Sequence, residues 1–252
     1  MKIVAITQAR MGSTRLPGKI LMQIQNQTLL ELHVRRIQKS QKINELLVAT
    51  TVDAEDEKTL GIAGKLGVPA YRGSVQDVLD RFYQALQGKS ADYVVRLTSD
   101  CPLIDGQLID KVIQFVIDRN LDYGSNTLNP TYPDGQDIEV FKYQAIEKAW
   151  KEANLLSERE HVTPYIWKNS SYKGGHLFAS DNFEEGYSFG HLRMTVDEQK
   201  DFDVINALIS GLGADGSWLD YARYLEQHKD VKSLNEAIGR NEGYSKTLKK
   251  DK

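Results

Sequence analysis

The chain opens on a short apolar run, KIVAIT, that gives way at Gln8 to a loop crowded with arginine, glycine and hydroxyl residues. Such a run, apolar without alternation, predicts a strand buried on both faces. Residues 28–40, TLLELHVRRIQKS, place Leu29, Leu30, His33, Val34 and Ile37 at helical spacing. ELLVATT (45–51) predicts a second strand, and acids lead a helix from about Asp53 to Leu66, as the helix dipole favours. VPAYRG (68–73) is a short strand and 75–89 a helix; 92–99 is a strand and 106–120 a helix. This alternation predicts an α/β fold with a mostly parallel sheet covered on both faces. Functional groups then gather at the carboxyl ends of the strands.

The rhythm changes after about residue 120. PTYPDGQDIEVFK (130–142) is a loop feeding an extended segment, and 172–180 and 187–197 read as further strands. Helices are expected at 143–154, 157–168, 199–211, 216–228 and 231–239, and the lysine-rich tail GYSKTLKKDK as a solvated end. A capping box from Ser157 to Glu160 is expected to open the second of these helices. No repeat or linker divides the 252 residues, so a single domain is expected. A flap at about 120–185 and a C-terminal helical extension at about 213–252 complete it.

Composition narrows the function. A formal charge of −3 supplies no basic excess for a phosphate backbone, so nucleic acid is not expected as a partner. No stretch approaches the roughly eighteen apolar residues of a membrane span. One cysteine, Cys101, excludes an internal disulfide framework, and the short first apolar run is not a signal peptide. A cytoplasmic setting is the expectation. Cys101 reads as a packing residue and His33 as lying at the edge of the core.

Three stretches carry chemistry. QARMGSTRLPGKIL (8–21) leaves the first strand with Arg10, Arg15 and Lys19 and no acid, a composition suited to a triphosphate. It is not a Walker A loop: five residues, not four, separate Gly12 from Gly18, and Ile20 stands where a hydroxyl would bind magnesium. RLTSDCPLID (96–105) ends a strand at Asp100, and HLRMTVDEQKDF (191–202) closes an apparent strand at Asp197. Two carboxylates suit a magnesium ion shared with nucleotide phosphates. Each aspartate has an alternative use, Asp100 as a cap of the following turn or helix and Asp197 as the N-cap of the helix at 199–211. YPDGQDIEVF adds Asp134, Asp137 and Glu139, and SEREHVTPYIW adds Arg159 and His161, placed to recognise a carboxylate or hydroxyls or simply on a solvated helix face.

Taken together these stretches resemble the cytidylyltransferase family that activates acidic sugars, which includes the CMP-sialate and CMP-ketodeoxyoctonate synthetases. Within it, the subgroup called spore coat polysaccharide biosynthesis protein F is the nearest in pattern. The resemblance runs through QARMGSTRLPGKIL, VATT, RGSVQDVLDRFY, LTSDCPLID, TYPDGQDIEVF, SEREHVTPY, HLRMTVDEQKDF and the late RNEGY. It implies a three-layer α/β nucleotide-diphosphosugar transferase fold, Rossmann-like and GT-A-like. It implies transfer of CMP from CTP to an acidic sugar with release of pyrophosphate. Arg10, Ser13, Arg15 and Lys19 would surround the phosphates, with loop backbone at Ala9 and Gly12 assisting, and Gly73, Ser74 and Arg81 would contact the nucleotide. Asp100 and Asp197 would bind Mg2+; with Arg15 and Lys19 they form the implied catalytic set. Asp137, Glu139, Arg159 and His161 lie in segments that line the sugar side, and related enzymes imply a homodimer. Two departures stand out: the chain has QAR where the ulosonate synthetases usually have PAR, and PDGQDIEVF and REHVTPY mark the subgroup. The sugar therefore does not carry over.

The competing expectation is a glycosyltransferase on the same fold, using a nucleotide-diphosphosugar. That class generally needs an Asp-x-Asp metal motif after a central strand. The strand here ends TSDCPL, and the only DFD, at 201–203, falls in a helical pattern. A sugar-nucleotide-binding module without catalysis is the third reading; the retained loop cations and strand-end carboxylates speak against it.

Overall fold

The computed structural model describes residues 1–251. β1 (Ile3–Gln8) leads through the cationic loop to a hairpin of β2 (Gln23–Ile24) and β3 (Gln27–Thr28), and then to α1 (Leu29–Ile37). Thr28 caps α1 by accepting from the Glu31 amide, while Glu31 reaches back to the Thr28 N–H. The chain continues through β4 (Glu45–Thr51), α2 (Glu57–Lys65), β5 (Ala70–Gly73), α3 (Val78–Ala85), β6 (Tyr93–Thr98) and α4 (Gly106–Asp118). These elements follow the expected alternation with modest trimming at helix ends.

The second half is β7 (Tyr123–Ser125), β8 (Glu139–Lys142), α5 (Tyr143–Glu152), α6 (Leu156–His161), α7 (Pro164–Lys168), β9 (Ser180–Asn182), α8 (Gln199–Leu212), α9 (Trp218–Gln227), α10 (Lys229–Lys232) and α11 (Glu242–Leu248). The sheet order is β5-β4-β1-β6-β8-β7-β9; β8 runs antiparallel to both its neighbours and every other pairing is parallel. This is the mostly parallel mixed sheet that the alternation predicts. From β1 the chain winds outward through β4 to β5, then returns to the other side of β1 as β6. The crevice beyond the carboxyl ends of β1 and β6 is therefore a topological switch point, where open α/β sheets bind ligands.

Successive β1 side chains serve opposite faces: Ile3 and Ala5 join one apolar cluster with α1, α4 and α8, while Val4 and Ile6 join another with α3 and α5. Burial on both faces explains why the strand reads as an unbroken apolar run.

Several expectations need correction. Residues 187–197 are not a strand of the sheet; Arg193 makes one isolated parallel bridge with Asp134, and side chains hold the rest. Of 172–180 only Ser180 begins a strand. The expected helix at 157–168 breaks at Val162, whose φ of 72° is left-handed, and restarts at Pro164. Proline has no N–H to donate and its ring collides with the preceding turn, so α6 cannot run through Pro164, which instead takes the first position of a new helix. Ser157 opens no capping box; α6 starts one residue earlier, and the Ser157 amide donates to Asp251. Helix is lost after Lys232 where it was expected to Gly239, and it reappears at 242–248 in the supposedly solvated tail. There Thr247 is buried, bonded to Glu160 and His161.

Candidate active site

The cationic loop is shaped by its own backbone. Ala9 N–H donates to Ala49 O, extending the β1–β4 ladder, and Gly18 N–H returns to Met11 O at 3.0 Å, closing the loop on itself. Asp56, fully buried, anchors the base: it accepts from Met11 N–H at 2.7 Å and from both the amide and hydroxyl of Thr51. The Ala9 amide, expected among the phosphate contacts, is thus committed to the sheet. Those of Arg10, Gly12, Thr14 and Arg15 have no protein acceptor among the described residues. Arg10 is exposed and makes no ion pair there, whereas Ser13 Oγ accepts from Leu16 N–H.

Lys19 turns inward to the switch point. Its Nζ donates to Val196 O at 2.6 Å and Asp197 Oδ1 at 2.9 Å, and lies 3.4 Å from Asp100 Oδ2. Burial alone disfavours the charged ammonium, yet Asp100 and Asp197 hold its pKa above the usual lysine value. Asp100 shows the reciprocal balance: burial would raise its pKa, and Lys19 brings it down to about 2. Neither aspartate is a helix cap. Asp105 caps α4, accepting from Gln107 and Leu108, and Asp201 accepts the amides of Asp197 and Glu198 at the start of α8. The Asp100 carbonyl accepts from Val196 N–H and Thr195 Oγ1, which fixes the two aspartate segments side by side.

Around Asp197 the charges form a network absent from the sequence reading. Arg15 donates to Asp197 Oδ1 at 2.8 Å and Arg193 to Oδ2 at 3.0 Å. Arg193, almost wholly buried, also binds Asp201 through Nε and Asp134 through Nη1, and its guanidinium pKa stays raised despite burial because of these acids. Gly135 permits the approach of the Asp134 loop: its φ is +107°, and a Cβ there would sit 2.5 Å from the Met194 carbonyl carbon. Arg240 closes the network by donating to Asp137, with Tyr132 O and Asp134 nearby. Six carboxylates (Asp100, Asp134, Asp137, Asp197, Asp201 and Glu242) here meet five cations, Arg15, Lys19, Arg193, Arg240 and, at the edge on Glu242, Lys246. Burial and Asp137 push Asp134 up to about 7, the response expected of acids outnumbering their counter-charges.

The other expected residues fall on either side of this centre. Toward β5, Gly73 and Ser74 lead into α3, and Ser74 Oγ accepts from the Asp77 amide. Arg81, buried, spends Nη1 on Ser74 O and leaves Nε without a partner; burial and then Arg10 bring its pKa down to about 10. On the far side Asp137 pairs with Arg240, and its side chain is 28% exposed. Glu139 is buried at the start of β8, bound by Arg96, Tyr123 and Thr163. Arg159 grips Asp77, the N-cap of α3, and donates to Trp150 O. His161 faces Thr247 and Tyr244, and burial with Arg96 lowers its pKa to about 4. Sequence thus brings Arg15, Lys19, Asp100 and Asp197 to one point, while Glu139, Arg159 and His161 make their contacts elsewhere. Cys101 is a buried thiol whose pKa burial pushes well up, and Asp201 of the DFD stretch is consumed by Arg193.

The donor set suits a hard divalent cation. Among the described residues no three His, Cys, Asp or Glu side chains gather to hold an ion unaided. Asp100 and Asp197 share one ammonium, and the Asp100 side chain is 29% exposed. Two carboxylates, with substrate phosphates and water filling the remaining positions, are the usual provision for magnesium on a nucleotide.

The chain has relatives among known proteins. The family profile described as Cytidylyltransferase matches residues 4–238. Spore coat polysaccharide biosynthesis protein SpsF of Bacillus subtilis is 33% identical over 248 residues, covering 93% of this chain and 98% of that protein. A 3-deoxy-manno-octulosonate cytidylyltransferase of Bdellovibrio bacteriovorus is 36% identical over 118 residues, 47% of each chain. The solved structure of a cytidylyltransferase from Leptospira borgpetersenii superposes with a TM-score of 0.87 at 32% identity, covering 95% of this chain and 100% of that one.

Proposed function

From the premise that this chain belongs to the cytidylyltransferase family and is a CTP-dependent nucleotidyltransferase, we propose that its acceptor is an acidic, ulosonic-type sugar destined for a surface polysaccharide or glycan. The observation that carries the reading is the Lys19 ammonium held between Asp100 and Asp197, with Arg15 beside it, at the switch point of the sheet. The spore coat and octulosonate relatives support a sugar acceptor.

In this reading the triphosphate lies on the Arg10–Lys19 loop, with Gly12, Ser13, Gly73, Ser74 and Arg81 on the nucleotide side. The acceptor hydroxyl attacks the α-phosphorus in line, the bond to the bridging oxygen breaks, and pyrophosphate leaves with the hydroxyl proton lost to solvent. Arg15 and Lys19 hold the departing pyrophosphate, and most of the rate comes from positioning and charge neutralisation. Asp100 and Asp197 would hold magnesium, whose contribution when bound is to offset charge on the α-phosphate. Asp137 stands at the acceptor side, while Glu139, Arg159 and His161, engaged with other partners, shape the surrounding fold rather than contact the acceptor.

No helix among the described residues is long and apolar enough to cross a membrane. A cytoplasmic enzyme fits the lone buried cysteine. Exposed Leu155, Leu156, Tyr172 and Leu177, all within 120–185, suit the contact face of a homodimer; a single-chain mass in solution would refute that.

The direct test is the thermal midpoint with magnesium and, in turn, CTP, UTP, ATP, GTP and a panel of nucleotide sugars. A native-state ligand at about 100 times its dissociation constant adds roughly 2.7 kcal/mol, enough to move the midpoint by several degrees. A shift selective for CTP is expected, followed by pyrophosphate release with an acidic sugar. A shift for a nucleotide sugar and none for CTP would overturn the reading in favour of the glycosyltransferase.

A further inference from the structure

If the acceptor is acidic, as the proposed function holds, a cation must read its carboxylate, and the sheet order says where to look. The nucleotide segments lie toward β4 and β5, the Lys19 centre lies beyond β1 and β6, and the acceptor therefore enters from the side of β8 and β7. Three other guanidiniums of the fold are already committed. Arg193 gives all three nitrogens to carboxylates and is almost wholly buried. Arg159 gives all three of its own to Asp77 and Trp150 O. Arg96 is tied to Glu139, which Tyr123 and Thr163 also bind, and its Nε, though without a partner, is sealed from solvent. His161 is held neutral by burial and nearby Arg96.

Arg240 differs. Its Nη2 donates to Asp137 and its Nη1 to Tyr132 O, while Nε, 3.9 Å from Asp134, makes no hydrogen bond among the described residues. Its side chain is 16% exposed and that of its partner Asp137 28%, so the pair is open to exchange with an incoming anion. The position is also well fixed. Just downstream Glu242 lies 3.7 Å from Arg15 of the phosphate loop, and α11 is docked on α6 by Thr247 with Glu160 and by Tyr244 against His161. On the other side, the Asp134–Asp137 loop is pinned by Gln136, which binds Leu103 O and the Asp105 amide.

We propose that Arg240 recognises the carboxylate of the acceptor sugar, exchanging Asp137 for it as the sugar enters. The planar fork of arginine matches a carboxylate in two parallel hydrogen bonds. Asp137, released, turns to the sugar hydroxyls. The late segment around Arg240 is thereby part of the acceptor site, and its removal takes from that site its exchangeable cation.

The test compares a 3-deoxy-octulosonate and a sialate with their C1 carboxamides, using wild type, Arg240→Met and Arg240→Lys. Wild type is expected to favour the accepted acid over its amide by roughly 100-fold in kcat/KM, the scale of a buried charged hydrogen bond. Arg240→Met should lose about that factor with the acid, mainly through KM, and change little with the amide. Its midpoint shift with CTP should remain. Arg240→Lys should recover part of the loss, since it keeps the charge without the fork. Equal losses for acid and amide would make Arg240 a structural latch and overturn the proposal while leaving the acidic acceptor intact. If wild type uses acid and amide alike, that too overturns it, with no variant required. If neither acid releases pyrophosphate while CTP still raises the midpoint, the acidic-acceptor reading falls and this proposal with it.

Discussion

Lys19 and Asp197 stand 178 positions apart in the chain and 2.9 Å apart in space, ammonium to carboxylate. The same ammonium reaches Asp100, so the first loop, the end of β6 and the segment before α8 converge on one charge. In the proposed function Lys19 therefore has two sets of partners to serve: these carboxylates, and the phosphates of CTP.

Replacing either carboxylate tests its part in this centre. Asp100→Asn and Asp197→Asn are each expected to lower pyrophosphate release by at least roughly 100-fold, the scale lost when one electrostatic group is removed from a reacting centre. The fold should survive, since neither side chain caps a helix. Magnesium titrations followed by the thermal midpoint should lose their shift in both variants. Near-normal turnover in either would remove that residue from the metal site.

Lys19→Ala should weaken CTP much more than CMP if, as proposed, the side chain serves the phosphates that CMP lacks. Calorimetric titration of both nucleotides decides it, and equal losses would place Lys19 away from them. Removing the ammonium also leaves two partly buried carboxylates facing each other, which costs stability. Added magnesium is expected to restore part of the lost midpoint, a readout that needs no acceptor.

Arg193 is expected to matter as much as the residues it positions. It ties Asp197, Asp201 and Asp134 together, and removing one partner of a buried ion pair typically costs about 3–5 kcal/mol. Arg193→Met should fall within that range in chemical denaturation. Arg193→Lys, which cannot reproduce the fork, should retain more stability than Met but lose turnover through misplacement of Asp197. Full activity in the lysine variant would show that Asp197 needs no such support.

How much of this was legible in the sequence follows from where each partner lies. The loop cations are contiguous and sit beside an apolar strand, so their grouping could be read directly. Asp100 and Asp197 each end an apparent strand, which flagged them individually, though not their meeting on Lys19. Arg193 was passed over because its segment reads as an extended strand, in which Asp197 and Asp201 lie too far along the chain to reach, and its third partner, Asp134, is 59 residues away. Asp56 escaped for the same reason: beneath the loop, it holds Met11, 45 residues earlier. β7 is three residues long and includes Gly124, where a Cβ would meet Val116 at 2.4 Å. Pairing with β8 and β9 makes it a strand, and no periodicity announces that. In 187–197 the alternation of polar and apolar residues imitated a strand, whereas charged side chains, above all Arg193, hold the segment in place.

His33 links the fold to pH. The ring is fully buried; Nδ1–H donates to Cys101 O at 2.8 Å, which leaves Nε2 to accept from the Thr7 hydroxyl at 2.8 Å. Burial lowers its pKa from 6.5 to about 4, so the folded protein keeps this imidazole neutral where the unfolded chain takes up a proton. Between those values the unfolded state binds more protons, and stability must fall as pH is lowered from about 6.5 towards 4. The shift sets a ceiling of roughly 3 kcal/mol on this one contribution. Denaturation at pH 7 and pH 4.5 should therefore differ more in wild type than in His33→Gln, whose amide can donate and accept without titrating. The variant should be the less stable at pH 7 and should close the gap at pH 4.5. An identical pH dependence in the two proteins would mean that His33 is not the titrating group.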